Sequence, residues 1–75
     1  MYLTGDTVKF LRQNVAKMTQ RGFGHTIGYS YGYVCQVETG VYPITKRFET
    51  AVIQALELSE VDVYKYKRIM QELAK

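Results

Sequence analysis

At 75 residues the chain is one domain with a small core, in the range where helical packing or association supplies the stability. Its net charge of +3 and pI near 9.1 permit a polyanionic partner without requiring one. The single cysteine, Cys35, excludes an internal disulfide framework and a cysteine-based zinc knuckle, and the natural setting is a reducing, cytoplasmic one. No apolar run is long enough to cross a membrane, and Asp6 and Lys9 interrupt the N-terminus before a signal-like stretch develops.

In chain order the sequence predicts an all-α domain of five helices, residues 1–75, with no linker and no internal repeat. Thr4 or Asp6 caps a first helix running to about Lys17, with Val8, Leu11, Val15 and Met18 forming its apolar stripe. Phe10 falls off that stripe and fills a neighbouring gap. Thr19 caps a second helix, Gln20 to Ile27, by accepting from a free backbone N–H of its first turn. Gly22 and Gly24 each cost that helix about 1 kcal/mol relative to alanine, so Gly24 is read as a site of close helix–helix approach.

Gly28 is suited to ending the second helix, and Ser30 to opening a third that runs from Tyr31 to Thr39. Tyr29 to Val37 is rich in β-formers, but Gly28, Gly32 and the serine cap favour helix. Gly40 supplies a left-handed ending, and Pro43 forces Tyr42 to be extended. Thr45 caps a fourth helix with Phe48, Val52, Ile53, Leu56 and Leu58 as its apolar positions. Ser59 caps a fifth, about residues 60–74, with Asp62 at the reciprocal capping position. Its stripe is Val63, Tyr66, Ile69, Met70 and Leu73, widened by Val61, Tyr64 and Ala74.

Two short helices joined by a turn containing glycine form a helix-turn-helix unit, here about residues 19–39, which can set its second helix in a DNA major groove. Thr19-Gln20, Phe23, Ile27-Gly28, Ser30, Gly32-Tyr33-Val34, Gln36-Val37-Glu38, Gly40 and Pro43 together resemble the lambda-repressor-like (Xre/Cro) family. The likeness spans roughly residues 11–58, and its spacing from Gln20 to Gly40 needs no gap.

That resemblance implies a division of labour. Thr19 and Gln20, at the start of helix two, would meet a DNA phosphate, with Gln20 also bracing the recognition helix. Tyr31, Gly32 and Gln36 fall where the family faces base edges. Gln36 is the strongest candidate for direct readout, because a glutamine can bond adenine N6 and N7 together. Gly32 departs from the polar residue usual at its position and cannot read a base by its side chain. The Tyr33 hydroxyl would reach the DNA backbone while its ring packs on the domain, and Lys46 and Arg47 would hold phosphates at the start of helix four. Glu38 would pair with Arg12 of helix one, although the stretch from Leu11 to Thr19 is one residue longer than in common family members.

The charge pattern points the same way. From Lys17 to Arg47 the basic residues Lys17, Arg21, Lys46 and Arg47 face a single acidic one, Glu38. His25 and Cys35 lack partners for catalysis, metal binding or disulfide exchange, and no nucleophile motif, paired carboxylates or phosphate loop suggests an enzyme. No cofactor, metal or small-molecule ligand is expected. The expected function is a dimeric, sequence-specific transcriptional regulator of bacterial or phage type, binding double-stranded DNA. Its helix five carries surplus apolar surface at Tyr66, Met70 and Leu73 for a second copy. The alternative is a helix-turn-helix adaptor for a protein partner, such as an antitoxin or antirepressor.

Overall fold

The computed structural model describes residues 3–73. Among these the chain is all-helical. Helix α1 (Gly5–Phe10) runs without a break into a π-helical stretch (Leu11–Ala16), and α2 (Gln20–Ile27), α3 (Tyr31–Glu38), α4 (Lys46–Ala55) and α5 (Glu60–Leu73) follow. The radius of gyration, 11.3 Å, is that of a compact chain of this length. No helix among the described residues is long and apolar enough to cross a membrane.

Side chains set the helix starts. Thr4 rather than Asp6 caps α1, its hydroxyl accepting from the Thr7 N–H, and Thr19, Ser30 and Thr45 accept in the same way from Gly22, Tyr33 and Phe48. At α5 the box is reciprocal. The Ser59 N–H donates to Asp62 Oδ2 at 3.0 Å, and the Asp62 N–H donates to Ser59 Oγ at 3.2 Å. The bond from the Ser59 N–H, and then that to its hydroxyl, hold the Asp62 carboxyl below the ordinary carboxylate range.

The core is drawn from every helix: Val8 and Leu11, Phe23 and Ile27, Val34 and Val37, Phe48 and Val52, and Val63. Burying side chains of this size stabilises the fold by about 1.5–3 kcal/mol each before entropy is counted. Leu3 and Ile44, which the periodicity of the helices does not reach, are buried with them. Leu3 is pinned by its backbone, whose N–H donates to Glu49 Oε2 at 2.9 Å inside the fold. Glu49 is thereby a buried carboxylate in the first turn of α4.

The first helix departs from the expected stripe. Its π-helical half ends at Lys17, which sits in the left-handed region with φ 55°, and Met18 lies beyond the helix and is 36% exposed. Met18 is therefore not a core residue, and Val15 with Ala16 packs against the core in its place. Helix α4 likewise stops at Ala55, and Glu57 turns the chain with φ 53°, so Leu56 and Leu58 pack from the turn and not from the helix.

Helix α5 gives the core only Val63 as a fully buried residue. Tyr66 is half-buried, with its ring 6.4 Å from that of Phe10, and Met70 is also half-buried. Leu73, Val61 and Tyr64 are the most open positions, at 72%, 74% and 65% exposure, and Ile69 is exposed as well. The surplus apolar surface thus lies on Val61, Tyr64, Ile69 and Leu73, while Tyr66 is largely committed to the domain's own packing. Ala74, expected to widen the stripe, lies outside the described residues.

Candidate functional site

The site is built on α2, α3 and the turn between them. At the end of α2, Gly28 adopts φ 85°, and both its N–H and that of Tyr29 reach the Gly24 carbonyl at 2.8 Å. This ending gives the Gly24 carbonyl, in the last turn of the helix, two donors. The turn can fold so tightly because residue 24 has no side chain. A Cβ there would stand 2.6 Å from the Tyr29 carbonyl oxygen and 3.3 Å from Val34 Cγ2. Gly24 is therefore the close-approach position expected of it, with the turn backbone and α3 as the neighbours.

Behind α3 lies a buried charged cluster. Arg12 donates from Nε to Glu38 Oε2 at 2.6 Å and from Nη2 to Oε1 at 3.0 Å, a two-pronged pair, and both residues are buried. The third donor, Nη1, reaches the Met18 carbonyl at 3.0 Å, and Gln20 Nε2 donates to Glu38 Oε1 at 3.0 Å. Glu38 is thus the common acceptor for the first helix and the start of α2. A π-helix uses one more residue per hydrogen-bonded loop than an α-helix. The π-helical stretch Leu11–Ala16 carries Arg12 and brings it to Glu38. At the far end, Gly40 adopts φ 83°, and the Val41 N–H bonds the Gln36 carbonyl at 2.9 Å, closing α3 onto the next loop.

An aromatic cluster fixes the flank. Tyr29 packs at 4.9 Å centroid distance against both Tyr33 and, edge-on, Phe48, and Tyr33 lies 5.6 Å from Phe48 and 5.4 Å from Tyr42. Such pairs add roughly 0.5–1.5 kcal/mol each beyond burial. Tyr33 is thereby half-buried by its neighbours and joins α3 to the N-terminal end of α4, where Lys46 and Arg47 are exposed. Neither the π-helical turn nor the roles of Tyr29, Tyr42 and Glu49 were signalled by periodicity, which reports only which face of a regular element is apolar.

The outward side of α3 is open. Tyr31 is 49% exposed, Gly32 is exposed, and Gln36 and Cys35 are half-exposed one turn further on. Thr19 is exposed at the start of α2, where its hydroxyl accepts from the Gly22 N–H at 3.1 Å. Gln20 is half-buried through its bond to Glu38. The guanidinium of Arg21 lies 5.3 Å from the centre of the Tyr31 ring, a cation–π contact between the first turns of α2 and α3. His25 is exposed, and no group of three or more His, Cys, Asp or Glu among the described residues is placed to hold a metal ion.

A Cβ on Gly32 would meet nothing within 4 Å. Gly32→Ala should therefore raise stability by roughly 0.5–1 kcal/mol through the lower conformational entropy of the unfolded chain. A thermal melt followed by circular dichroism should rise by about 2–8 °C. A lowered midpoint would mean that the position is not open.

Comparison with protein-family models, with curated proteins and with solved structures finds no match for this chain.

Proposed function

We propose that the protein is a sequence-specific DNA-binding regulator of the lambda-repressor-like type, with α2 and α3 as its helix-turn-helix and α3 as the recognition helix. The observation that carries this reading is the locking of α3 from behind. Arg12, Gln20 and Glu38 tie the helix to the first two while Tyr31, Gly32 and Gln36 stay open on its outer side. A helix held rigidly on one side and solvated on the other suits insertion into a groove, where small misplacements forfeit base contacts. Exposed Lys17, Arg21, Lys46 and Arg47 flank it with positive charge suited to phosphates.

In this reading Gln36 reads a base directly, and Tyr31 contacts a thymine methyl group or a neighbouring base edge. Lys46 and Arg47 hold phosphates, as do the hydroxyl of Tyr33 and the Thr19–Gln20 start of α2. Gly32 adds no side chain, so the helix reads fewer base edges directly than its length would allow. One such helix covers only a few base pairs, so the protein acts as a homodimer on a roughly palindromic site. The interface lies on α5 around Met70 and Leu73, with the exposed Ile69 beside them, while Tyr66 of the same stripe is half-buried against the domain.

Selection from a random DNA pool at two salt concentrations tests the reading. The expected result is an enriched two-fold symmetric motif. Gln36→Ala should then lower affinity for that motif about ten-fold while leaving random duplex binding nearly unchanged. Lys46→Ala should weaken both alike and reduce the salt slope by about one. Equal losses on both duplexes for Gln36→Ala would remove it from base readout. Absence of any enrichment and of salt dependence would favour the adaptor function instead.

A further inference from the structure

We propose that Arg21 is a positioning residue. It holds the Tyr31 ring in one orientation on the reading face of α3, and through that ring it sets base preference. This rests on the DNA-binding reading above and extends it to a residue that the reading treats only as surface charge.

The observation is the 5.3 Å approach of the Arg21 guanidinium to the Tyr31 ring centre. Both residues are exposed, and each lies in the first turn of its helix, Arg21 on α2 and Tyr31 on α3. An exposed tyrosine at a helix start is ordinarily free to exchange rotamers, and a base contact made through it must first freeze that motion. A planar cation lying over one face of the ring removes part of the freedom in advance.

The contact is also preset by the frame beneath it. The close approach at Gly24 and the left-handed Gly28 fix the angle between α2 and α3. The Gln20–Glu38 bond, one residue before Arg21, ties the start of α2 to the end of α3. The two side chains are therefore brought together in the free protein and need not be assembled on DNA. Placed over the ring, the exposed guanidinium keeps N–H groups available for a phosphate, so one residue can serve affinity and orientation at once.

Lysine at this position separates the two roles, because an ammonium retains the charge but cannot stack as a plane. The test uses the full chain, the duplex selected from the random pool and one random duplex of equal length. Arg21→Lys should leave random-duplex affinity and the salt slope within about two-fold of the parent. Affinity for the selected duplex should fall about five-fold, because the ammonium keeps only the point-charge part of the contact and loses the planar group that orients the ring. Tyr31→Leu should lose at least as much, and adding Arg21→Lys to it should cost nothing further.

Parental affinity of Arg21→Lys for the selected duplex, or losses of the two changes that multiply, would overturn the proposal and leave Arg21 a phosphate clamp. Failure of the underlying reading looks different: the parent protein would then select no duplex at all, and the proposal would fall with it. A second measurement reads the contact without DNA. In the free protein the Arg21 δ-methylene protons should be shifted upfield by the Tyr31 ring current and return to ordinary values in Tyr31→Leu. An unshifted parent would also overturn the proposal.

Discussion

Glu38→Ala should be the most damaging single change near the open face of α3, lowering stability by about 3–5 kcal/mol. The side chain is buried, and it is the acceptor for Arg12 Nε and Nη2 and for Gln20 Nε2. Its removal leaves the Arg12 guanidinium inside the fold with only the Met18 carbonyl as partner. The loss of the ion pair itself is the smaller part, since desolvation offsets most of the attraction between two buried charges. The larger part is the stranded cation, which must be solvated by opening the packing around it. A domain of this size has only about 4–11 kcal/mol in total, so Glu38→Ala should be partly unfolded at 37 °C. Urea titration followed by circular dichroism measures the loss. The double change Arg12→Met with Glu38→Leu should be markedly more stable than Glu38→Ala, because no charge is left behind. A double variant as unstable as the single one would show that the loss comes from the cluster's own hydrogen bonds and not from the stranded cation.

The same cluster marks how far the sequence could be read. Helix starts were legible almost to the residue, because Thr19, Ser30, Thr45 and Ser59 are small oxygen-bearing side chains placed before apolar periodicity. The core positions Phe23, Val34, Val37, Phe48 and Val52 follow from the same periodicity. The pairing of Arg12 with Glu38 was legible through the family resemblance. The π-helical stretch that carries Arg12 was not, since a widened turn has no composition of its own. That turn also explains why Met18, in step with an α-helical stripe, ends up outside the core. Leu3 and Glu49 escaped for a different reason. Their link is a backbone N–H bonded to a side chain far along the chain, and neither propensity nor spacing encodes such a contact. The Arg21–Tyr31 approach depends on the angle between two helices, which the Gly24–Gly28 turn sets and which no local signal reports.

That dependence makes Gly24→Ala the sharpest test of how the site is positioned. The added methyl would lie 2.6 Å from the Tyr29 carbonyl oxygen, a backbone atom that cannot swing aside as the end of a side chain would. Val34 Cγ2, at 3.3 Å, closes the other direction and is itself fully buried. Relief therefore requires α3 and the turn to move together away from α2. Alanine gains about 1 kcal/mol of helix propensity over glycine, whereas overpacking of this kind costs typically 1–3 kcal/mol and occasionally more. With rigid backbone as the obstacle, the net loss should be about 2 kcal/mol, or roughly 8–16 °C in midpoint for a domain of this length. The displacement matters beyond stability, because it shifts Tyr31 and Gln36 relative to the basic residues of α2 and α4. Under the proposed function, Gly24→Ala should lose selective DNA binding at temperatures where its circular dichroism is still that of the folded protein, while Gly22→Ala, which meets only the Thr19 hydroxyl at 3.3 Å, should retain it. Parental stability in Gly24→Ala would mean that the turn yields freely and that helix spacing is not set at this glycine. Full selectivity in a destabilised Gly24→Ala would separate the spacing of α2 and α3 from recognition.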